Sequence, residues 1–177
     1  WHADIACLQY LRENGCPADE SAASIAASAG TVRALGYILD SGCPFDDTLM
    51  YDAVKSGHLE CLQYLVEEQL LPIDGLVFLI ALLSGDTECC RYLVDIGCFY
   101  FDTYLPIDDE WQMEELDAIF KTNNPDFLVC LLFAVERGWQ FNSDFVDFVC
   151  SRDDYCAEFM KDEGWIPDED CAMDCDA

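Results

Sequence analysis

The sequence predicts an all-α fold, a solenoid of stacked antiparallel helix pairs, and three observations carry that reading. The first is a recurring phrase. Cys7-Leu8-Gln9-Tyr10-Leu11, followed by Asn14-Gly15-Cys16-Pro17, returns as Ala34-Leu35-Gly36-Tyr37-Ile38 followed by Ser41-Gly42-Cys43-Pro44. It comes back as Cys61-Leu62-Gln63-Tyr64-Leu65, and again as Cys89-Cys90-Arg91-Tyr92-Leu93 with Ile96-Gly97-Cys98. The second observation is spacing. The tyrosines step by 27, 27 and 28 residues, and a fixed period of this length marks small stacked units. The third is helical periodicity within a unit. From His58 to Glu68, the residues Leu59, Leu62, Leu65 and Val66 line one apolar stripe.

Each unit reads as a first helix, a turn, a second helix and a linker. The first helices are 21 to 29, 47 to 56, and 75 to 84, with Asp46 or Thr48 placed to cap the middle one and Gly57 in its turn. One of them is apolar through Ala22, Ala23, Ile25, Ala26 and Ala27, and its small residues let a neighbouring helix come close. Leu76 to Leu83 is apolar on every side. A buried strand also fits a run that short, but its alignment with the other first helices decides for a helix covered on both flanks. Gly15, Gly42 and Gly97 follow second helices where a left-handed cap is needed, and Pro17 and Pro44 stop the helix from continuing. In the third unit Gln69 takes the place of that glycine. The linker Leu70-Leu71-Pro72 is read as one residue longer, which accounts for the step of 28.

After Asp102 the pattern drifts. Residues 103 to 109, with Pro106, read as an insertion, and Glu110 to Lys121 as an amphipathic helix on Trp111, Leu116, Ile119 and Phe120. Asn123-Asn124 stands where a turn glycine stood. Phe127, Leu128, Leu131, Leu132 and Val135 line a second helix ending at Gly138. A final pair covers Asp144 to Cys150 and Asp154 to Glu163, closed by Gly164-Trp165-Ile166-Pro167. Residues 1 to 167 therefore form a single repeat domain, with 103 to 167 degenerate, and 168 to 177 form an acidic tail. Residues 2 to 14 match only a second helix, so the first unit is either a cap or the end of a longer array.

Composition narrows the function classes. Formal charge is −28, from 36 acidic and 8 basic residues. That argues against direct binding to nucleic acid, which needs clustered Lys and Arg, and against an anionic membrane surface. A protein partner with a basic surface is the natural electrostatic counterpart. The longest apolar run is far short of the roughly 20 residues of a membrane span. The chain opens on Trp1 without a charged region leading into an apolar segment, so no secretory signal is expected, an expectation that leaves open a processed or trimmed chain that has lost one. Twelve cysteines could suggest a disulfide scaffold. However, Cys7, Cys61 and Cys89 alternate with Ala34 at one repeated position, as a small buried hydrophobe does. Reduced thiols and an intracellular, cytoplasmic setting are the expectation.

The unit Thr48-Leu49-Met50-Tyr51-Asp52-Ala53-Val54-Lys55-Ser56-Gly57-His58-Leu59-Glu60-Cys61-Leu62 resembles an ankyrin repeat. It fits the pattern Thr-Pro-Leu-His-x-Ala-Ala-x-x-Gly-His-Leu-Glu-x-Val at Thr48, Ala53, Gly57, His58, Leu59 and Glu60. Ser21, Ala26, Ala27 and Gly30 fit the same frame, as do Ala81 and Gly85. The Gly-Cys-Pro-x-Asp linkers at 15 to 19 and 42 to 46 are similar to those of the shortened, divergent form in amoebae, oomycetes and giant DNA viruses. The resemblance covers residues 4 to 102 well and 103 to 167 weakly. Leu49 and Tyr51 replace the motif's Pro and His, so the hydrogen bonds those residues support are expected to be absent. A period near 27 implies linkers cut to plain loops. The resemblance implies a concave partner surface at Ala18 and Phe45 in the linkers, and Ser28, Ala29, Lys55, Ser56, Leu83 and Ser84 before the turn glycines. Phe45 has an alternative role, packing under the next helix.

Catalytic chemistry is not legible. The chain has two histidines, His2 and His58, and His58 is set at a helix start by the repeat. No nucleophile–base arrangement can be assembled from them. Cys171 and Cys175 lack a second pair for a closed zinc site, residues 102 to 115 miss the EF-hand register, and no phosphate-binding glycine loop is present. No catalytic, cofactor or metal residue is assigned. The leading expectation is a non-catalytic interaction or scaffold module. The alternatives are a structural component of an assembly such as a virion, packing through Leu76 to Leu83, Trp111, Trp139 and Trp165, or an acidic mimic of nucleic acid that binds basic proteins.

Overall fold

The computed structural model describes residues 5–15, 20–46, 48–98, 118, 126–141 and 143–165, and every regular element among them is helical. The helices are α1 (Ile5–Glu13), α2 (Glu20–Ser28), α3 (Val32–Asp40), α4 (Thr48–Lys55), α5 (Leu59–Gln63), α6 (Gly75–Ser84) and α7 (Thr87–Asp95), then α8 (Phe127–Glu136), α9 (Ser143–Cys150) and α10 (Asp154–Asp162). The expected insertion at 103 to 109, the helix at 110 to 121, Asn123-Asn124 and the tail at 168 to 177 lie outside the described residues. No helix among the described residues is long and apolar enough to cross a membrane.

Aspartate side chains start four of the helices. Asp74 accepts from the Val77 N–H at 3.0 Å, and Asp86 accepts from Glu88 at 3.0 Å and Cys89 at 3.3 Å. Asp153 does the same for Tyr155 and Cys156, and Asp46 accepts from the Thr48 N–H at 3.0 Å. Each carboxylate satisfies donors that a first turn leaves unpaired and lies at the positive end of the helix dipole.

Pairs α2/α3, α4/α5 and α6/α7 each pack on themselves. The first helices also pack in succession, α2 on α4 and α4 on α6, and so do the second helices, α1, α3, α5, α7 and α8. Ala23, Ala26 and Ala27 of α2 are buried, and their small size is what lets α4 lie close. Second helices contribute equivalent stripes to the core: Ala34, Leu35 and Ile38, then Cys61, Leu62 and Leu65, then Cys89, Cys90 and Leu93. Two of the repeated tyrosines, Tyr64 and Tyr92, lean back on the preceding second helix. Tyr64 lies over Gly36, where a β-carbon would sit 3.0 Å from its hydroxyl, and the Tyr92 hydroxyl donates to Glu67 at 3.0 Å. Tyr10 is 64% exposed.

Left-handed residues repeat in two interleaved series. Gly30, Gly57 and Gly85 close first helices, while Gly15, Gly42, Leu70 and Gly97 close second helices. After second helices the chain makes a Schellman closure, with Cys43 N–H to Ile38 O, Cys98 to Leu93 and Trp139 to Ala134. The third unit differs. Tyr64–Glu68 forms a π turn, Gln69 N–H bonds Tyr64 O at 3.2 Å, and Leu71 N–H reaches Leu65 O at 3.1 Å. This corrects the linker reading. The extra residue is absorbed in the last turn of the second helix, and Leu70, at φ 54°, takes the place of the cap glycine rather than Gln69. The wider turn leaves Leu65 in the core and adds nothing to the linker.

The turn glycines also make room for the next unit. A β-carbon at Gly30 would lie 2.6 Å from His58 Nδ1, and one at Gly57 would lie 2.9 Å from Asp86 Oδ2. His58 Nε2 is 3.0 Å from the Ser28 carbonyl. A carbonyl only accepts, so this nitrogen carries the proton. His58 is thus a clip between units, in keeping with a structural role.

Replacing Leu62 with Ala is expected to cost about 2 to 5 kcal/mol in a denaturant melt, with exposed Glu68→Ala within about 0.5 kcal/mol as the control. Gly42→Ala tests the left-handed backbone alone, because nothing lies within 4 Å of its added carbon. It is expected to cost about 1 to 2 kcal/mol. Gly30→Ala must also displace His58 and should cost at least about 1 kcal/mol more. Equal losses at the two glycines would show that the His58 contact contributes nothing.

Candidate functional site

Consecutive linkers converge at one edge of the molecule and enclose an open cleft of about 160 Å³. Phe45 and Asp46 come from the linker before α4, and Leu71, Pro72 and Asp74 from the linker before α6. Met50 and Tyr51 of α4 and Val77 of α6 form the floor. Phe45 is 40% exposed, while Asp46, Pro72 and Asp74 face solvent. The cleft therefore combines an accessible aromatic ring with two carboxylates.

Tyr51 holds the two linkers in register. Its hydroxyl donates to Asp74 Oδ2 at 2.6 Å, while Asp74 Oδ1 caps α6 through Val77. Tyr51, standing where the motif has His, thus makes a bond of its own, the phenol being long enough to reach the following linker directly.

The residues expected on one partner surface divide between two edges. Phe45 precedes α4 and Lys55 ends it, so the eight-residue helix separates them by about 12 Å of rise. Ser28, Ala29, Lys55 and Ser56 are exposed at the turn edge, where the Ser28 carbonyl is engaged by His58. Ser84 is half-buried and donates to the Ala81 carbonyl at 3.1 Å. Leu83 is a correction: it is 1% exposed and belongs to the core, because α6 is covered on every side where α4 presents Lys55 to solvent. Ala18 lies outside the described residues. Asp46, Tyr51, Leu71, Pro72 and Asp74 were not among the residues expected on the partner surface. Tyr51 carried the one available signal, as a large polar ring in a motif position.

The side chains proposed for assembly packing are used internally. Leu76 to Leu83 are all buried, and Trp139 packs on Phe78 at 5.3 Å and Phe145 at 5.2 Å. Trp165 meets Phe141 at 5.6 Å and Phe159 at 5.9 Å. Trp111 lies outside the described residues.

No protein-family profile, curated protein or solved structure matches the chain. The reading of this site therefore rests on its own geometry.

Among the described residues no three His, Cys, Asp or Glu side chains are grouped to hold a metal ion, and the eight described cysteines are free thiols. Cys171 and Cys175 are outside the described residues, as is the Cys7 side chain. Cys61 and Cys89 are fully buried. Burial, with help from Glu60, pushes the Cys61 thiol up to about 11, and burial pushes Cys98 and Cys156 up to about 12. Cys89 is raised by burial and by a hydrogen bond to Asp86, and Cys90 first by a hydrogen bond with Cys130 and then by burial. Thiols held neutral in this way are poor nucleophiles, so they act as packing groups.

The sign of the pH dependence follows. Folded-state thiol pKa values lie above the ordinary 9.0, so their stabilising contribution is complete below about pH 9. It is lost as pH rises through about 11 to 12. A melt series should show stability falling over that window, and Cys61→Ala should reduce the slope. Iodoacetamide at about pH 8 should label Cys61 and Cys89 far faster after unfolding. Equal labelling of folded and unfolded protein would overturn this assignment.

Proposed function

We propose that the chain is a non-catalytic protein-interaction module, an ankyrin-like solenoid with shortened linkers, whose linker edge engages a partner with a basic surface. The observation that carries this reading is the cleft between successive linkers, where an accessible Phe45 ring sits beside the Asp46 and Asp74 carboxylates. Two further features support it. Left-handed residues recur at 15, 42, 70 and 97 and at 30, 57 and 85, so one edge is built from equivalent linkers. A net charge of −28 gives long-range attraction for a cationic surface. Core thiols that need no oxidation suit a reducing compartment such as the cytoplasm.

The experiment is a binding titration of a basic peptide against the wild-type chain, Phe45→Ala, and a variant with the carboxylates of residues 168 to 176 neutralised. Affinity should fall steeply as salt is raised, because the attraction is screened beyond a Debye length of about 10 Å at 0.1 M. Phe45→Ala should weaken binding at every salt concentration, whereas tail neutralisation should mainly slow association. Loss of binding with the tail variant and none with Phe45→Ala would reject the linker-edge reading in favour of an acidic mimic.

A further inference from the structure

Resting on the linker-edge reading, we propose that the cleft at Phe45 receives an arginine side chain of the partner. Its guanidinium stacks on the Phe45 ring and pairs with the carboxylates of Asp46 and Asp74.

The cleft at Phe45 has a counterpart elsewhere in the repeat. Phe141 follows Gly138 by three residues, as Phe45 follows Gly42. Trp165 directly follows the left-handed Gly164, as Leu71 follows the left-handed Leu70. In the C-terminal copy the indole of Trp165 lies 5.6 Å from the Phe141 ring, and Trp139 and Phe145 pack on Phe141 at 5.8 Å each. The flat space beside the phenylalanine is thereby filled from within. In the Phe45 copy the residue in that place is the smaller Leu71, and the space is an open cleft of about 160 Å³. The shape left vacant by this difference suits a flat group.

Asp46 and Asp74 make the rim anionic, which excludes a plain aromatic ring as the best occupant and favours a planar cation. The protein contains the same combination elsewhere. Arg137 lies over the Phe133 ring at 4.8 Å while its Nη1 pairs with Asp95 at 2.9 Å, and Arg91 lies over Phe133 at 5.2 Å. A phenylalanine face, a neighbouring carboxylate and a guanidinium are therefore a compatible set in this fold. Lysine supplies charge but no plane to stack and no fork of donors for a carboxylate. The existing bonds of the two aspartates leave capacity, since each carboxylate oxygen has two acceptor positions. Asp46 uses one oxygen for Thr48, and Asp74 uses one position on each oxygen for Val77 and Tyr51.

Fluorescence anisotropy with a short arginine-rich peptide and its lysine counterpart of equal charge tests the proposal. The arginine peptide is expected to bind about tenfold more tightly, from stacking and bidentate pairing together. Leu71→Trp, which fills the cleft as Trp165 fills its counterpart, should remove that preference. Asp46→Asn and Asp74→Asn should also reduce it, and they keep the helix starts because Asn caps as well as Asp. Circular dichroism melts confirm that each variant is folded, and the asparagine pair remains informative should Leu71→Trp fail to fold. Equal binding of the two peptides, or a preference that survives the asparagine variants, overturns the arginine assignment. If equal binding is still lost in Phe45→Ala, the linker-edge reading stands without it. If no linker variant changes binding, both fall.

Discussion

Each helix pair in this protein depends on its neighbours to cover its apolar faces, because a hairpin of two helices of at most ten residues has too little interior of its own. The first helices show the constraint most directly. The buried residues of α2 are Ala23, Ala26 and Ala27, α4 buries Leu49, Met50, Ala53 and Val54, and α6 buries every residue from Leu76 to Leu83. That gradient from small and one-sided to large and all-round matches how much protein lies against each helix. A single continuous core results, running from Ala23 to Met160 without a buried polar or charged residue among those described.

Close stacking sets the requirements at the turns. A chain that reverses every dozen or so residues uses a left-handed residue at most of its described reversals, and glycine supplies it without a β-carbon penalty. At Gly30 and Gly57 the missing β-carbon is needed twice over, once for the backbone and once for the His58 and Asp86 side chains of the following unit. Leu70 shows what happens when the glycine is absent. The preceding helix widens into a π turn, and the left-handed residue keeps its side chain 79% exposed, out of the crowded interior.

The charge of −28 is compatible with this fold because the described acids are outside the core and several do structural work at helix starts. Asp46, Asp74, Asp86 and Asp153 accept from first-turn amides, where the helix dipole offsets some of the mutual repulsion. Two of these caps also form the rim of the Phe45 cleft. Structural capping and the anionic character of the candidate site are therefore the same residues, and the shape of the edge is tied to the integrity of α4 and α6.

The sequence by itself determined the features that repeat locally. Helical class, the apolar stripes of the second helices, the turn glycines and the placing of Cys61 and Cys89 in an alanine position all follow from periodicity and side-chain size. Only the tertiary structure decided the rest. Lys55 and Leu83 occupy equivalent places in their units, yet one faces water and the other is buried. Phe45 could be read as a linker aromatic, but its cleft exists because Leu71 and Pro72 arrive beside it from the following unit and Tyr51 bonds Asp74. The extra residue was countable in the sequence, while its location in the last turn of the third second helix was not. The difference has one physical origin: local propensity and burial pattern are written along the chain, whereas coverage, clefts and register depend on which residues distant in sequence meet across adjacent units.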